Sequence, residues 1–289
     1  DVLHTHGWDA DIIGWLGLGG IGTRQLIHLH ITPGWLRSGA LRHKLRRALT
    51  RRAFSRGGTR VVAVSEAVRA HWAELLPWNA SAIDLIENGV DLKKYTCRNL
   101  DVDTRSSAVV GTAVRLAPSK GVTFLIQAVE TVALQGKACE VRIAGDGSER
   151  PALEAEVRSR GLSEYVVFLG HLAGLGEFYN SVDIYVLPTV DVDAEGLPLG
   201  ILEAWASGCC VIGTRVKGVE GLIRHGVDGL LVPPGDSGAL ASAIAEVMSN
   251  DTLRRQLASN GRSRVSSDFS QERFVRAVCA QYRELSRGN

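Results

Sequence analysis

Short apolar runs alternate with helix-period patterns along most of this chain. Residues 108–114, 139–144, 166–169, 184–187, 210–213 and 230–232 are rich in β-branched and apolar side chains, and each predicts a buried strand. Between them Val122, Leu125, Ile126 and Val129 recur at helical spacing, as do Leu240, Ile244, Val247 and Met248. Buried strands separated by helices imply a parallel sheet covered on both faces, so this half is expected to form one doubly wound α/β domain over residues 99–268.

The first hundred residues repeat the alternation with four strands, at 2–5, 26–31, 61–64 and 83–86. Residues 92–107, rich in charged and small polar side chains, are the expected linker, which gives an N-terminal domain over 1–98. A last amphipathic helix over 270–285 places Phe274, Val278 and Tyr282 on one face. Residues 269–289 are therefore expected to pack back on the N-terminal domain.

Composition narrows the class. A hydrophobic fraction of 45% in 289 residues supports a substantial core, and a net charge of +2 argues against nucleic acid as a partner. Five cysteines without a CxxC pair argue against a disulfide framework or zinc ribbon, and favour a reducing, cytoplasmic setting. The chain starts at Asp1 and its single Met is Met248, so a fragment of a longer product, shortened at the N-terminus, is expected.

Several motifs weaken on inspection. GLGGIG at 17–22 fits GxGxxG, but the residues after it resemble a strand stopped by Pro33, and no acidic residue lies between Asp11 and Glu66. A dinucleotide site needs a helix and an acidic partner there, so this is read as a loop. The pairs His4/His6 and His28/His30 lie on neighbouring predicted strands, where alternate residues share a face. A zinc site is conceivable, but without acidic or cysteine ligands solvated or substrate-facing histidines are expected, and no metal.

RLAPSKG at 115–121 joins a strand to a helix at the carboxyl edge of the sheet, where open α/β sheets bind ligands. Arg115 and Lys120 offer a planar fork and a point charge suited to adjacent phosphates. In EGLPLGILEAWASG at 195–208, Pro198 suits a first helical turn, so Glu195 falls in a loop and Glu203 inside an apolar helix. The N–H groups near Leu199 and Gly200 would form an anion site at the helix start. Glu203 needs an ion-pair partner or a polar ligand such as a ribose diol, because burying a bare carboxylate costs several kcal/mol.

These two segments, with ENGVD at 87–91, IAGDGSERPAL at 143–153, FLGHL at 168–172, YVLPT at 185–189 and GVDGLLVPPGD at 226–236, occur in an order that resembles the retaining glycosyltransferases of family four, the "group 1" family. The resemblance covers nearly the whole chain. It implies a GT-B architecture, two facing doubly wound Rossmann-like domains, with the N-terminal one incomplete. It also implies transfer of a sugar from a nucleoside-diphosphate donor to a saccharide or lipid-linked acceptor with retention at the anomeric carbon, and no cofactor or metal. A nucleotide-sugar 2-epimerase of similar architecture, or a non-catalytic nucleotide-sugar-binding fragment, are the alternatives.

By the same resemblance, Arg115 and Lys120 would hold the diphosphate, and Glu195 would sit beside the transferred sugar with the backbone of Gly196 and Leu197 at its hydroxyls. Leu199 and Gly200 would offer N–H groups to the phosphates, Glu203 would bind the ribose, Leu172 would face the base, and His30 would face the sugar. KGVEG at 217–221 departs from the family pattern, with Glu220 one place early and Gly221 in the usual glutamate position. The DVD triplets at 101–103 and 191–193 resemble a metal-binding pattern of another glycosyltransferase architecture, but read as variable acidic loops.

Charge patterning adds one more expectation. Nine Lys or Arg and no acidic residue fall within residues 37–60, with Leu41, Leu45 and Leu49 at helical spacing among them. This is either a solvated basic helix whose leucines pack inward, or a helix lying on an anionic membrane surface. The second reading would make the protein peripheral on the inner face of a membrane.

Overall fold

A computed structural model describes residues 1–17, 23–33, 38–75, 82–95, 108–137, 139–193 and 195–287. Most of GLGGIG, the DVD triplet at 101–103, Arg37 and most of the expected linker lie outside the described residues. The chain forms two compact units. One comprises Asp1–Gly89 with Glu195–Leu197 and Gln271–Asn289, and the other Val90–Ala194 with Pro198–Ser270. The first boundary falls at Gly89 rather than at residue 98, because Val90 donates its N–H to the Phe269 carbonyl and pairs with Ser270.

In the first unit, β1 (Val2–His6), β2 (Arg24–Leu29), β3 (Thr59–Ala63) and β4 (Ile83–Leu85) form a parallel sheet in that order. The helices α1 (Trp8–Gly17), α2 (Leu41–Phe54) and α3 (Glu66–Leu75) make the crossovers. The sequence pattern does not reveal α1, because it buries Asp11 and Gly14 beside Ile12 while Ile13 and Leu16 are exposed, so no continuous apolar stripe forms. Leu26, Val62, Ile86, Val278 and Leu285 form one buried cluster. The last two belong to α11 (Gln271–Arg287), which thus packs onto the first unit's sheet, with Phe274 and Tyr282 on its buried side.

The second unit has a six-stranded parallel sheet. Its strands are β5 (Val110–Ala113), β6 (Val141–Ala144), β7 (Val166–Gly170), β8 (Ile184–Leu187), β9 (Cys210–Thr214) and β10 (Leu230–Val232), in the order β10-β9-β8-β5-β6-β7. Strands β8 and β9 are buried along their whole length, as continuous apolar runs require. The run at 166–169 is not fully buried, because β7 is an edge strand and leaves Val167 and Leu169 facing solvent.

The helices of this unit are α4 (Val122–Leu134), α5 (Arg150–Ser159), α6 (Gly176–Asn180), α7 (Leu199–Ala206), α8 (Lys217–Glu220), α9 (Ser237–Ser249) and α10 (Asp251–Asp268). The apolar stripes of α4 and α9 pack against each other over one sheet face. Helix α10 buries only Leu257, Ala258, Gly261 and Val265 in eighteen residues, too sparse a stripe to stand out in the sequence. It nevertheless closes on α7, since a Cβ at Gly261 would lie 2.2 Å from the Trp205 ring. Beside it Asp228 of GVDG is buried, ion-paired to Arg264 at 2.9 Å and accepting the Arg224 N–H, so this motif is a structural tie.

Candidate functional site

The strand order of the second unit locates a site before any side chain is considered. The chain leaves β5 to build β6 and β7 on one side, then returns to β5 to place β8, β9 and β10 on the other. The switch point lies between β5 and β8, and the crevice outside their carboxyl ends is where open α/β sheets bind ligands. The loops leaving these two strands are joined, because Val190 donates its N–H to the Ser119 carbonyl at 3.0 Å. They are also too close for a side chain at Gly121, whose φ is 62° and whose added Cβ would lie 2.2 Å from the Pro188 carbonyl oxygen.

Arg115 lies two residues past the end of β5. Its side chain is exposed and makes no ion pair with any described residue, and it lines a cavity of about 480 Å³ with Gly145, Asp146, His171 and Leu172. Lys120 ends a short 3-10 turn, Pro118–Lys120, and is not among the lining residues. The cavity wall depends on Gly145. With φ at 120°, a Cβ there would stand 1.9 Å from the Val114 carbonyl oxygen, so only glycine lets this loop lie on the β5 loop. Asp146 is turned to its own loop, accepting the Gly147 N–H at 2.7 Å and pairing with Arg150 at 3.1 Å. Those contacts, the backbone one first, hold its carboxyl below the usual range.

Helix α7 begins beside the same strands. Pro198 is its N-cap rather than its first helical residue, and no side chain caps the helix, leaving the Leu199 and Gly200 N–H groups for another acceptor. Gly200 stands over the Tyr185 hydroxyl, which a Cβ would approach to 2.5 Å, and that hydroxyl donates to the Ala113 carbonyl at the cavity wall.

Glu203, one turn further on, makes no ion pair with a described residue, yet it is not bare. The Tyr179 hydroxyl donates to its Oε2 at 3.0 Å, and the Tyr95 hydroxyl faces the same carboxylate. The rings of Tyr95 and Tyr179 meet edge to face at 6.0 Å, and Tyr179 meets Tyr185 at 5.5 Å. Burial, with the Glu203 charge adding to it, pushes both Tyr179 and Tyr95 well above the ordinary tyrosine range, so both stay neutral donors. Nothing in the sequence announced these tyrosines, which lie 24 and 108 positions from the carboxylate they hold.

The remaining expected residues lie in the first unit. Glu195 is 8% exposed. The Gly196 carbonyl accepts the Ser65 hydroxyl at 2.7 Å, and a Cβ on Gly196 would meet the His30 carbonyl oxygen at 1.9 Å. The EGL segment and His30 are thus brought together, and Gly196 is required for the approach. Leu197 is also buried. The histidine pairs are not simply solvated: His28 is buried, His4 partly so, and only His6 is exposed.

In the DVD triplet at 191–193, Asp193 is paired with Lys217 at 3.0 Å. Glu220, at the altered family position, is exposed and lies 3.5 Å from Arg215. Cys139, Cys209, Cys210 and Cys279 are all free thiols.

Comparison with known proteins bears on the family and the fold. Residues 107–250 match the family described as Glycosyl transferases group 1, and residues 1–94 match Glycosyltransferase Family 4. The lipopolysaccharide core biosynthesis glycosyltransferase LpsE of Rhizobium meliloti is 33% identical over 179 residues, which is 61% of this chain and 50% of that protein. The D-inositol 3-phosphate glycosyltransferase of Geodermatophilus obscurus is 29% identical over 98% of this chain and 66% of its own length. The chain spans about half the length of most curated relatives it matches. The structure of Anabaena HepE in complex with UDP superposes with a TM-score of 0.87 at 22% identity, covering 98% of this chain and 79% of that one. The fold is that of the GT-B glycosyltransferases, and the chain belongs to the group 1, family four glycosyltransferases.

Proposed function

We propose that this chain carries the donor site of a retaining glycosyltransferase, moving a sugar from a nucleoside diphosphate to a saccharide or lipid-linked acceptor. The observation that carries the reading is the convergence of Arg115, its cavity and the uncapped start of α7 at the switch point of the second unit's sheet. Arg115, with Lys120, holds the diphosphate and stabilises the charge that grows on the leaving phosphate. The Leu199 and Gly200 N–H groups accept part of the same charge. Leu172 faces the base at the cavity wall, and Glu203 receives the ribose diol.

Glu195, Gly196, Leu197 and His30 orient the transferred sugar. The C–O bond to the leaving phosphate breaks while the acceptor oxygen bonds the anomeric carbon on the same face. The acceptor proton passes to the departing phosphate oxygen. No step needs a metal, and Asp193 of the DVD triplet is engaged by Lys217.

Basic helix α2 supplies a peripheral membrane contact. Leu41 is 83% and Leu45 61% exposed while Leu49 is half-buried, so only the last of the three leucines packs inward as the solvated-helix reading requires. Neighbouring α1, which packs on α2, exposes Ile13 and Leu16 as well. No helix among the described residues is long and apolar enough to cross a membrane. An anionic bilayer surface satisfies both the leucines and the arginines around them.

The experiment is a thermal-shift panel of nucleoside-diphosphate sugars, followed by incubation of the stabilising donor with and without saccharide acceptors. Product with the donor's anomeric configuration supports transfer. Donor epimerised without acceptor would establish the 2-epimerase reading instead, and binding without either product the non-catalytic one. Absence of any stabilising nucleotide sugar refutes the site.

A further inference from the structure

Four imidazoles converge at the carboxyl ends of β1 and β2. Parallel pairing sets His6 opposite His28 and His4 opposite Leu26, so the three histidines share one sheet face. The His4 and His28 rings stack at 5.4 Å, His28 and His30 at 4.5 Å, and His4 and His6 lie 4.3 Å apart. Helix α11 closes the inner side, with Phe274 stacked on His28 at 6.1 Å and Tyr282 meeting His4 edge-on.

The hydrogen bonding of this cluster is one-sided. His4 Nδ1 lies 2.7 Å from the Tyr282 hydroxyl, and His6 Nδ1 lies 2.8 Å from His30 Nε2. His4 and His6 are therefore each held by one nitrogen, while His4 Nε2 and both nitrogens of His28 are buried and make no hydrogen bond of good geometry among the described residues. The Ile86 backbone favours the charged form of His28 slightly but makes no well-formed bond to it. A buried polar atom left without a partner costs about 1–3 kcal/mol. A packed core has no reason to gather three such atoms on adjacent rings.

We propose that His4, His6 and His28 bind a divalent transition-metal ion of the zinc class, with Tyr282 and His30 as the outer partners that fix the ring orientations. One nitrogen from each of the three rings already lies within 4.8 Å of the others. Tetrahedral coordination at Zn–N distances near 2.0–2.1 Å needs them about 3.4 Å apart, which ring rotation supplies. Neutral imidazoles are also what a metal requires. An imidazole ligates through the lone pair of its neutral form, so zinc binding should weaken as pH falls. A ligand ring that gives its second nitrogen to an outer partner is the usual arrangement around bound zinc, and His4 with Tyr282 and His6 with His30 both fit it. Three protein ligands leave one position open, and an all-imidazole set suits zinc, nickel or copper rather than magnesium or calcium. The ion ties β1 to β2 and takes no part in the bond exchange, touching the sugar site only through His30, the outer partner of His6.

The test uses the untagged 289-residue chain, dialysed against zinc and then against buffer, with metal content measured by elemental analysis. About one retained equivalent is expected, together with a zinc-dependent rise in Tm and, for the cobalt(II)-loaded chain, the visible absorption of a tetrahedral site. His6→Ala, at an exposed position that leaves packing intact, should lower zinc affinity at least tenfold while the circular dichroism stays unchanged. His43→Ala, outside the cluster, should retain the full equivalent. No retained zinc in the parent chain, or equal retention by parent and His6→Ala, overturns the proposal.

Discussion

The hydroxyl of Tyr179 donates a 3.0 Å hydrogen bond to Oε2 of Glu203, and that contact explains how an apolar helix carries a carboxylate. Tyr179 is fully buried, so its hydroxyl depends on this acceptor, while Glu203 is only half-buried. The pair orients the carboxylate from below without neutralising it.

Two substitutions at Glu203 should therefore separate binding from folding. Glu203→Gln keeps an oxygen for a tyrosine hydroxyl, so stability should change little, while nucleotide affinity falls by about 1–3 kcal/mol with the charged hydrogen bond. Glu203→Leu should additionally lower stability by about 1–3 kcal/mol, because the Tyr179 hydroxyl is left buried and unpaired. Calorimetric titration and urea melts read the two effects. Unchanged affinity in Glu203→Gln would make the residue structural only. Tyr179→Phe should weaken nucleotide binding more mildly, by freeing the carboxylate to rotate.

Arg115→Ala and Lys120→Ala should each weaken a nucleoside diphosphate far more than the parent nucleoside. A charged hydrogen bond to phosphate is worth about 1.5–3 kcal/mol, roughly ten- to hundredfold in Kd. Arg115 should show the larger loss, because it lines the cavity and Lys120 does not. Equal losses for both ligands would contradict a phosphate role.

Gly145→Ala tests the cavity wall. Its φ of 120° and the 1.9 Å approach to the Val114 carbonyl leave no room for a methyl group. The loop must move, at a cost of about 2–4 kcal/mol, and the cavity beside Arg115 must change shape. Both Tm and nucleotide affinity should drop together. A variant with parent stability would show that the two loops are not in contact.

Asp11 gives a pH dependence of known sign. Burial raises its carboxyl to about 6, with a hydrogen bond from Thr5 opposing the shift. The folded state then holds a proton that the unfolded chain releases near pH 4, so stability falls as pH rises from about 4 to about 6 and stays lower above that. Asp11→Asn removes this dependence. Its stabilisation relative to the parent should be near zero at pH 4 and reach about 3 kcal/mol at most by pH 7, as two pKa units allow. Melting curves across that range decide it, and an identical pH profile in parent and variant would contradict the burial of a proton at Asp11.

The α2 surface predicts co-sedimentation with anionic vesicles and not with zwitterionic ones, lost at high salt. Replacing Leu41 and Leu45 with Ser should reduce binding several-fold without lowering Tm, since both side chains already face solvent. Equal sedimentation with both lipids would remove the membrane from the proposed function.

Much of the architecture was decided locally. Runs such as Ile184–Leu187 and Cys210–Thr214 are buried at every position, and only a strand covered on both faces can bury such a run. The loop chemistry was equally local: Arg115 after β5 and the Leu-Gly start of α7 are placed by strand-to-helix order alone. Edge position was not local. The run containing Val167 and Leu169 reads like the central strands, and only the strand order exposes it. Helix α1 stayed hidden because it buries Asp11 and Gly14 beside Ile12 and exposes Ile13 and Leu16.

The partners of charged and polar groups were decided entirely by the tertiary fold. Glu203 announced that it needed a hydrogen bond, but the donor came from Tyr179, brought in by α6, with Tyr95 of a distant turn facing the same carboxylate. The histidine pairs announced a shared face on neighbouring strands. Whether they met water or one another depended on α11, nearly 250 residues away, closing over β1 and β2 with Phe274 and Tyr282. Periodicity follows from the backbone and is written along the chain. Hydrogen-bond partnership follows from which elements the packed core leaves side by side, and no local pattern encodes that.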